Sequence, residues 1–121
     1  MNADITRALE RDQTIDITTT GKRTGRPHRK EIWFHNLDGR LFVTGTRGRR
    51  DWYANLVAHP EFTFHLKQTT RADLPAIATP IVDYDQRREI IAGSLQKIGG
   101  NRDLDAWVSD SPLVEVEVRP A

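Results

Sequence analysis

Ile17-Thr18-Thr19-Thr20-Gly21-Lys22-Arg23-Thr24-Gly25-Arg26-Pro27-His28-Arg29-Lys30-Glu31-Ile32-Trp33 is the stretch on which the reading of this chain turns. A β-branched run of three threonines stops at Gly21, a basic turn lies between Gly21 and Gly25, and apolar residues resume at Ile32. That pattern is strand, turn, strand, with a cationic tip. Residues 22–50 hold nine Lys or Arg (Lys22, Arg23, Arg26, Arg29, Lys30, Arg40, Arg47, Arg49, Arg50) against two acids (Glu31, Asp38), a local charge of +7. The whole chain is +1, so the other residues sum to −6. A local positive field attracts anions whatever the average charge, so an anionic partner is the first inference.

Outward from this stretch, the alternation of Ile15, Ile17 and Thr19 against Asp16, Thr18 and Thr20 has period two, which marks a strand with one buried face. After the turn, residues 31–36 are rich in β-formers. Asp38-Gly39 is a hairpin signal before Leu41, Phe42 and Val43, so two consecutive hairpins form a meander. The next strand ends in a second basic loop, Thr46-Arg47-Gly48-Arg49-Arg50. Asp51 then reads as the N-cap of a helix over residues 52–59 that Pro60 ends. Trp52, Asn55, Leu56 and His59 share one face of that helix. Its N-terminus would add dipole attraction for an anion beside the second loop.

Phe62, Phe64 and Leu66 alternate with polar residues. Residues 71–82 are extended but carry Pro75 and Pro80, which suggests an edge or a bulge. Asp83 with Gln86 resembles a capping box, and Tyr84, Arg88, Ile91, Leu95 and Ile98 recur at helical intervals until Gly99-Gly100. A looser segment follows around residues 105–107, then a strand with Val114, Val116 and Val118 facing one way and Glu115, Glu117 and Arg119 the other. The sum is an α+β fold, mainly antiparallel β: a small barrel of about six strands with one short and one longer helix.

The 121 residues have room for one domain, which at this size buries about two thirds of its unfolded surface, with residues 1–12 expected as a loosely ordered N-terminal segment, at most a frayed turn or two of helix carrying Ile5 and Leu9. No apolar run approaches the ~18 residues of a membrane helix. Residues 1–12 lack the apolar core of a secretory signal, and the chain has no cysteine, so a cytoplasmic protein is expected. Among the four histidines no spacing suggests a metal site, and His35, His59 and His65 have no partner evident in the sequence.

Two segments, Thr18-Thr19-Thr20-Gly21-Lys22-Arg23-Thr24-Gly25-Arg26-Pro27 and Trp52-Tyr53-Ala54-Asn55-Leu56 running on to Ala58-His59-Pro60-Glu61, resemble the deazaflavin-dependent nitroreductase family, within the flavin/deazaflavin oxidoreductases of split β-barrel (FMN-binding-like) fold. The resemblance covers residues 15–68 well and the helix after Asp83 loosely. It implies an oxidoreductase that passes a hydride from reduced coenzyme F-420 to a quinone-like or nitroaromatic acceptor, with FMN as the alternative cofactor and an FMN- or haem-binding split-barrel protein as the alternative reading. It places cofactor contacts on Lys22, Arg23, Thr24, Gly25, Arg26 and His28, on Thr46, Arg47 and Gly48, and on Trp52 and Asn55. Ile32 falls near the deazaflavin ring and Trp33 beside the substrate; no catalytic acid is implied. A homodimer is the expectation for such barrels. The chain departs from the family at Glu31, where proline is usual, in its shorter loop at Arg49-Arg50, and in offering only Trp107 where many members have a tyrosine-rich segment over the substrate.

Read from residues alone, two classes stay open: a redox enzyme binding a phosphorylated cofactor, and a nucleic-acid module using a basic β-arm. Residues 22–30 contain no aromatic for base stacking, which favours the first. The plainer alternative for the turn is a solvated hairpin tip, which the second basic loop disfavours, and for Trp52 it is core packing, the commoner role of such a residue.

Overall fold

Alternation decides which side of each strand enters the core. On β1 (Thr14–Thr20), Ile15, Ile17 and Thr19 are buried and the residues between them are half-exposed, as the period of two requires. The computed structural model describes residues 2–45, 48, 50–98 and 103–119, without the side chains of residues 97 and 98. Within them β1, β2 (Pro27–Leu37), β3 (Arg40–Thr44), β4 (Glu61–Leu66), β5 (Ala72–Pro80) and β6 (Leu113–Val118) close into an antiparallel barrel in the order β1-β2-β3-β6-β5-β4. Helices α1 (Ala3–Arg11), α2 (Asp51–Ala58), α3 (Tyr84–Ile98) and α4 (Leu104–Asp110) complete the fold. This is the expected α+β split barrel, with two helices more than the sequence patterns suggested.

The barrel interior holds Ile15, Ile17, Ile32, Phe34, Phe64, Leu74 and Val114, with the Phe34 and Phe64 rings meeting edge to face at 5.3 Å. A second apolar cluster joins Phe42 and Leu113 to Ile90, Ile91 and Val108, and so fastens α3 and α4 to the outside of β3 and β6. Arg87 reinforces that joint by donating to the carbonyls of Ile81, Val108 and Ser111. The two hairpins are present as read. In the second, Asp38 and Gly39 both have positive φ, 55° and 89°, as a tight hairpin turn demands.

Several sequence expectations are revised. The segment expected to be loosely ordered is a capped helix: Asn2 accepts from the Ile5 N–H, and Ala8 and Leu9 are buried on the barrel. The looser segment near Trp107 is α4, with Asp103 as its N-cap, a short polar signal that its seven residues made hard to see. Helix α2 begins one residue early. Arg50 takes the cap position without a side-chain capping bond, and Asp51 lies in the first turn. On α3, Asp83 does cap, accepting from the Gln86 N–H, but the buried stripe is Ile90, Ile91 and Ser94. Tyr84 and Arg88 face out, Arg88 bound to Asp105 at 2.6 Å. Gly99 and Gly100 lie outside the described residues.

Strand β5 is paired on both sides, not an edge, despite its prolines. The Arg119 N–H donates to the Pro75 carbonyl, so the N–H that Pro75 lacks would also point towards β6, whose ladder with β5 starts one residue later at Ala76. The missing donor falls at a ladder end.

Candidate functional site

The basic turn is built, not merely tethered. The Gly21 N–H donates to the Arg26 carbonyl at 2.8 Å, the Gly25 N–H to the Gly21 carbonyl at 3.0 Å, and the Arg26 N–H to Thr24 Oγ1 at 3.2 Å. Gly25 supplies a φ of 69°. Gly21 has no room for a side chain: a Cβ there would lie 2.5 Å from Thr24 Oγ1 and 2.8 Å from His28 Nε2. His28 is thereby folded back against the turn from β2.

Helix α2 anchors this turn through one residue. Asn55 is buried; its Oδ1 accepts from the Lys22 N–H at 2.9 Å, and its Nδ2 donates to Thr19 Oγ1 at 3.1 Å. Trp52, one turn earlier, is also buried and packs edge to face on Tyr53. Four residues of helix, about 6 Å of rise, separate Asp51 beside the second basic loop from Asn55 beside the first. The N-terminus of α2 therefore lies at the same end of the barrel as the basic turn. Thr46 and Arg47 lie outside the described residues. Gly48, with φ 101°, donates its N–H to the Asp110 carbonyl and lines a cleft with Arg50, Tyr53 and Ser111.

The local charge is distributed in a way the tally of +7 conceals. Arg40 binds Glu115 at the far end of β3, and Arg29 binds Asp16 at 3.0 Å. Among the described residues Lys22, Arg23, Arg26 and Lys30 are exposed and make no ion pair. Three of these four stand on the turn itself, with the Thr24 hydroxyl among them; the N–H groups of Gly21, Lys22, Gly25 and Arg26 are used within the turn or by Asn55, so it is the side chains that suit it to a phosphate.

The other expected site residues lie elsewhere. Ile32 pairs with Ile15 across the ladder and belongs to the barrel core. Trp33, 44% exposed, lies on a separate cleft shared with Glu10, Arg11 and Gln13. Six residues of strand, about 20 Å, separate Trp33 from Pro27 at the turn. Glu31, where the family has proline, faces outward and binds Lys67, which also holds Asp16 at 2.7 Å. That ammonium, then the Arg29 guanidinium, keeps the Asp16 carboxyl below its usual range.

One constellation was missed in the sequence. His65 on β4 is not without partners. Its Nε2 lies 2.7 Å from Thr18 Oγ1, and its Nδ1 lies 2.7 Å from Asp73 Oδ1. The imidazole is buried, and its bond holds Asp73 below the usual carboxylate range. Alternation places all three residues on outward faces of their strands. Only the register Thr18↔Thr63 and His65↔Asp73 brings them together, and register is not printed in the sequence.

Comparison with solved structures returns the barrel. An F420 reductase superposes with a TM-score of 0.72 at 18% identity, over 94% of this chain and 92% of that one. HutZ, the heme storage protein from Vibrio cholerae, gives 0.72 at 19% identity, over 98% and 89%. The conserved hypothetical protein Rv2991 from Mycobacterium tuberculosis gives 0.72 at 18%, over 99% and 81%. Identities this low speak to the fold alone. The family of F420H(2)-dependent quinone reductases, in contrast, matches by sequence over residues 1–119. With the two motifs and the barrel already in place, that match is decisive: this chain belongs to the F420H(2)-dependent quinone reductase family.

Proposed function

We propose that the protein is an oxidoreductase that takes a hydride from reduced coenzyme F-420 and passes it to a quinone-like acceptor. The observation that carries this reading is the basic turn: three exposed cations unpaired among the described residues, on a backbone closed by its own hydrogen bonds and fixed to α2 by Asn55. Such a turn needs no reorganisation to receive an anionic tail, so binding costs little ordering entropy. Lys22, Arg23 and Arg26 hold that tail, with the Thr24 hydroxyl assisting. Arg47 and Thr46 of the second loop are assigned to the same role. When bound, the deazaflavin supplies the hydride, and the protein supplies orientation and electrostatics.

The test is equilibrium binding of coenzyme F-420 to wild type and Arg23→Ala, with FMN in parallel, followed by reoxidation of the reduced coenzyme by menadione. Loss of one charge-assisted contact predicts weakening by about 1.5–3 kcal/mol, and wild-type affinity should fall as salt rises. Equal affinity in the two proteins would return the turn to a solvated hairpin tip.

A further inference from the structure

We propose that Thr18, His65 and Asp73 form a proton-delivery site for a quinone-like carbonyl oxygen bound in the groove beside Thr18; the proposal rests on the oxidoreductase reading above. The groove, of about 630 Å³, runs over the outer face of β1, β4 and β5. Thr20 and Pro27, which flank the basic turn, line one end of it, and Thr18, Asp73, Pro75 and Ile77 line the rest. Its chemistry differs from that of the turn. Pro75 and Ile77 offer an apolar wall, and among the lining charges Asp73 and Glu61 outnumber Arg119, so a neutral flat carbonyl compound suits it better than another phosphate. Three residues of strand, about 10 Å, separate Thr18 from the turn, so a ligand anchored by its tail at residues 22–26 has its other end within reach.

The hydrogen-bonding pattern fixes the roles. A carboxylate only accepts, so Nδ1 carries a hydrogen and Asp73 orients the ring. In the neutral imidazole, Nε2 accepts from the Thr18 hydroxyl. In the imidazolium, Nε2–H donates to Thr18 Oγ1, which frees the hydroxyl hydrogen to turn towards the groove. The other charged group opposite His65 is Asp16 on β1, already bound by Lys67 from β4 and Arg29 from β2.

Reduction of a quinone to its quinol adds two electrons and two protons. Reduced deazaflavin provides a hydride, and one proton must come from elsewhere. Here the Thr18 O–H bond breaks as the quinol O–H forms, Thr18 recovers its hydrogen from Nε2, and His65 is reprotonated by solvent. Thr18 is the catalytic residue, and His65 and Asp73 act through it.

The experiment has two arms. In the coenzyme-free protein, menadione should shift the His65 ring nitrogen resonances in a histidine-labelled NMR spectrum, and Thr18→Val should abolish that shift. With reduced coenzyme F-420, wild-type kcat/KM for menadione should fall towards high pH. Thr18→Val should lose at least tenfold in kcat and flatten the profile while coenzyme affinity stays within twofold, and Thr18→Ser should restore activity to within threefold. Should Thr18→Val fail to fold by circular dichroism, His65→Gln carries the same comparison. Wild-type kcat and pH profile in the folded variant, or no menadione-induced shift in wild type, would overturn the relay. A wild-type protein that neither binds nor reoxidises the coenzyme would overturn the oxidoreductase reading and the relay with it.

Discussion

Replacing Asn55 by alanine separates the turn's construction from its charge. Asn55 is the only hydrogen-bonded side-chain link between α2 and the turn among the described residues, and its loss strands two groups: the Lys22 N–H and the Thr19 hydroxyl, the latter 2% exposed. An unpaired buried polar group costs about 1–3 kcal/mol. Thr19 lies at the full end of that range and the half-buried Lys22 N–H at the low end, because water can reach it, so the sum is about 4 kcal/mol. For 121 residues the unfolding entropy is about 250 cal/mol/K, which converts the loss to a fall in Tm of about 16 °C. Arg23→Ala, on an exposed side chain without an ion pair among the described residues, should leave Tm within about 2 °C, since surface changes of this kind stay within about 0.5 kcal/mol. Coenzyme affinity should fall in both variants, in Asn55→Ala because the turn is no longer held and in Arg23→Ala because a charge is gone. Differential scanning calorimetry and equilibrium titration read the two quantities independently. An Asn55→Ala protein with wild-type Tm and wild-type affinity would refute the claim that α2 holds the turn.

Gly25→Ala should destabilise by about 1–2 kcal/mol in urea unfolding, because a Cβ there meets nothing within 4 Å and the whole cost is the left-handed φ of 69°. Acid unfolding should show Asp16: Lys67 and then Arg29 hold its carboxyl below the ordinary 3.8, so its contribution is complete above that value and is lost as pH falls through the lower, folded one. Asp16→Asn should therefore flatten the acid limb of Tm against pH below about pH 4, and an unchanged limb would remove this ion cluster from the stability account.

What the sequence made legible follows physical reach. Strands with period-two burial and turns with Gly at fixed offsets are local patterns, so β1, the basic turn and the Asp38-Gly39 hairpin could be read directly. Helix α4 could not, because seven residues with a single buried valine carry too short a pattern. The site divided along the same line. Lys22, Arg23 and Arg26 are neighbours in sequence and so were visible. Asn55 was seen to share a face with Trp52, but its bonds to residues 33 and 36 positions away were not. Thr18, His65 and Asp73 were passed over because partnership across β1, β4 and β5 depends on register, which the barrel as a whole determines. The local charge of +7 misled in the opposite direction, since Asp16 and Glu115, distant in sequence, neutralise two of the arginines it counted.

The barrel alone does not choose a cofactor: the F420 reductase and the heme storage protein superpose on this chain with the same TM-score of 0.72. The choice must come from side chains. A haem held axially by histidine needs a free ring nitrogen, and neither histidine beside the turn or the groove, His28 or His65, offers one without losing a contact. The buried His65 has both of its nitrogens engaged at 2.7 Å, so ligation there would break one bond and leave Thr18 or Asp73 without its partner. His28 is exposed, but its Nε2 is folded against Gly21 inside the turn, where withdrawing it would loosen the strand entry that Arg26 and Gly21 close. A phosphorylated tail asks for nothing to be undone. Lys22, Arg23 and Arg26 already face solvent, and the backbone that carries them is held from beneath by Asn55. On the energetic criterion of least reorganisation, the turn favours an anionic, phosphate-bearing cofactor, in agreement with the family to which the chain belongs.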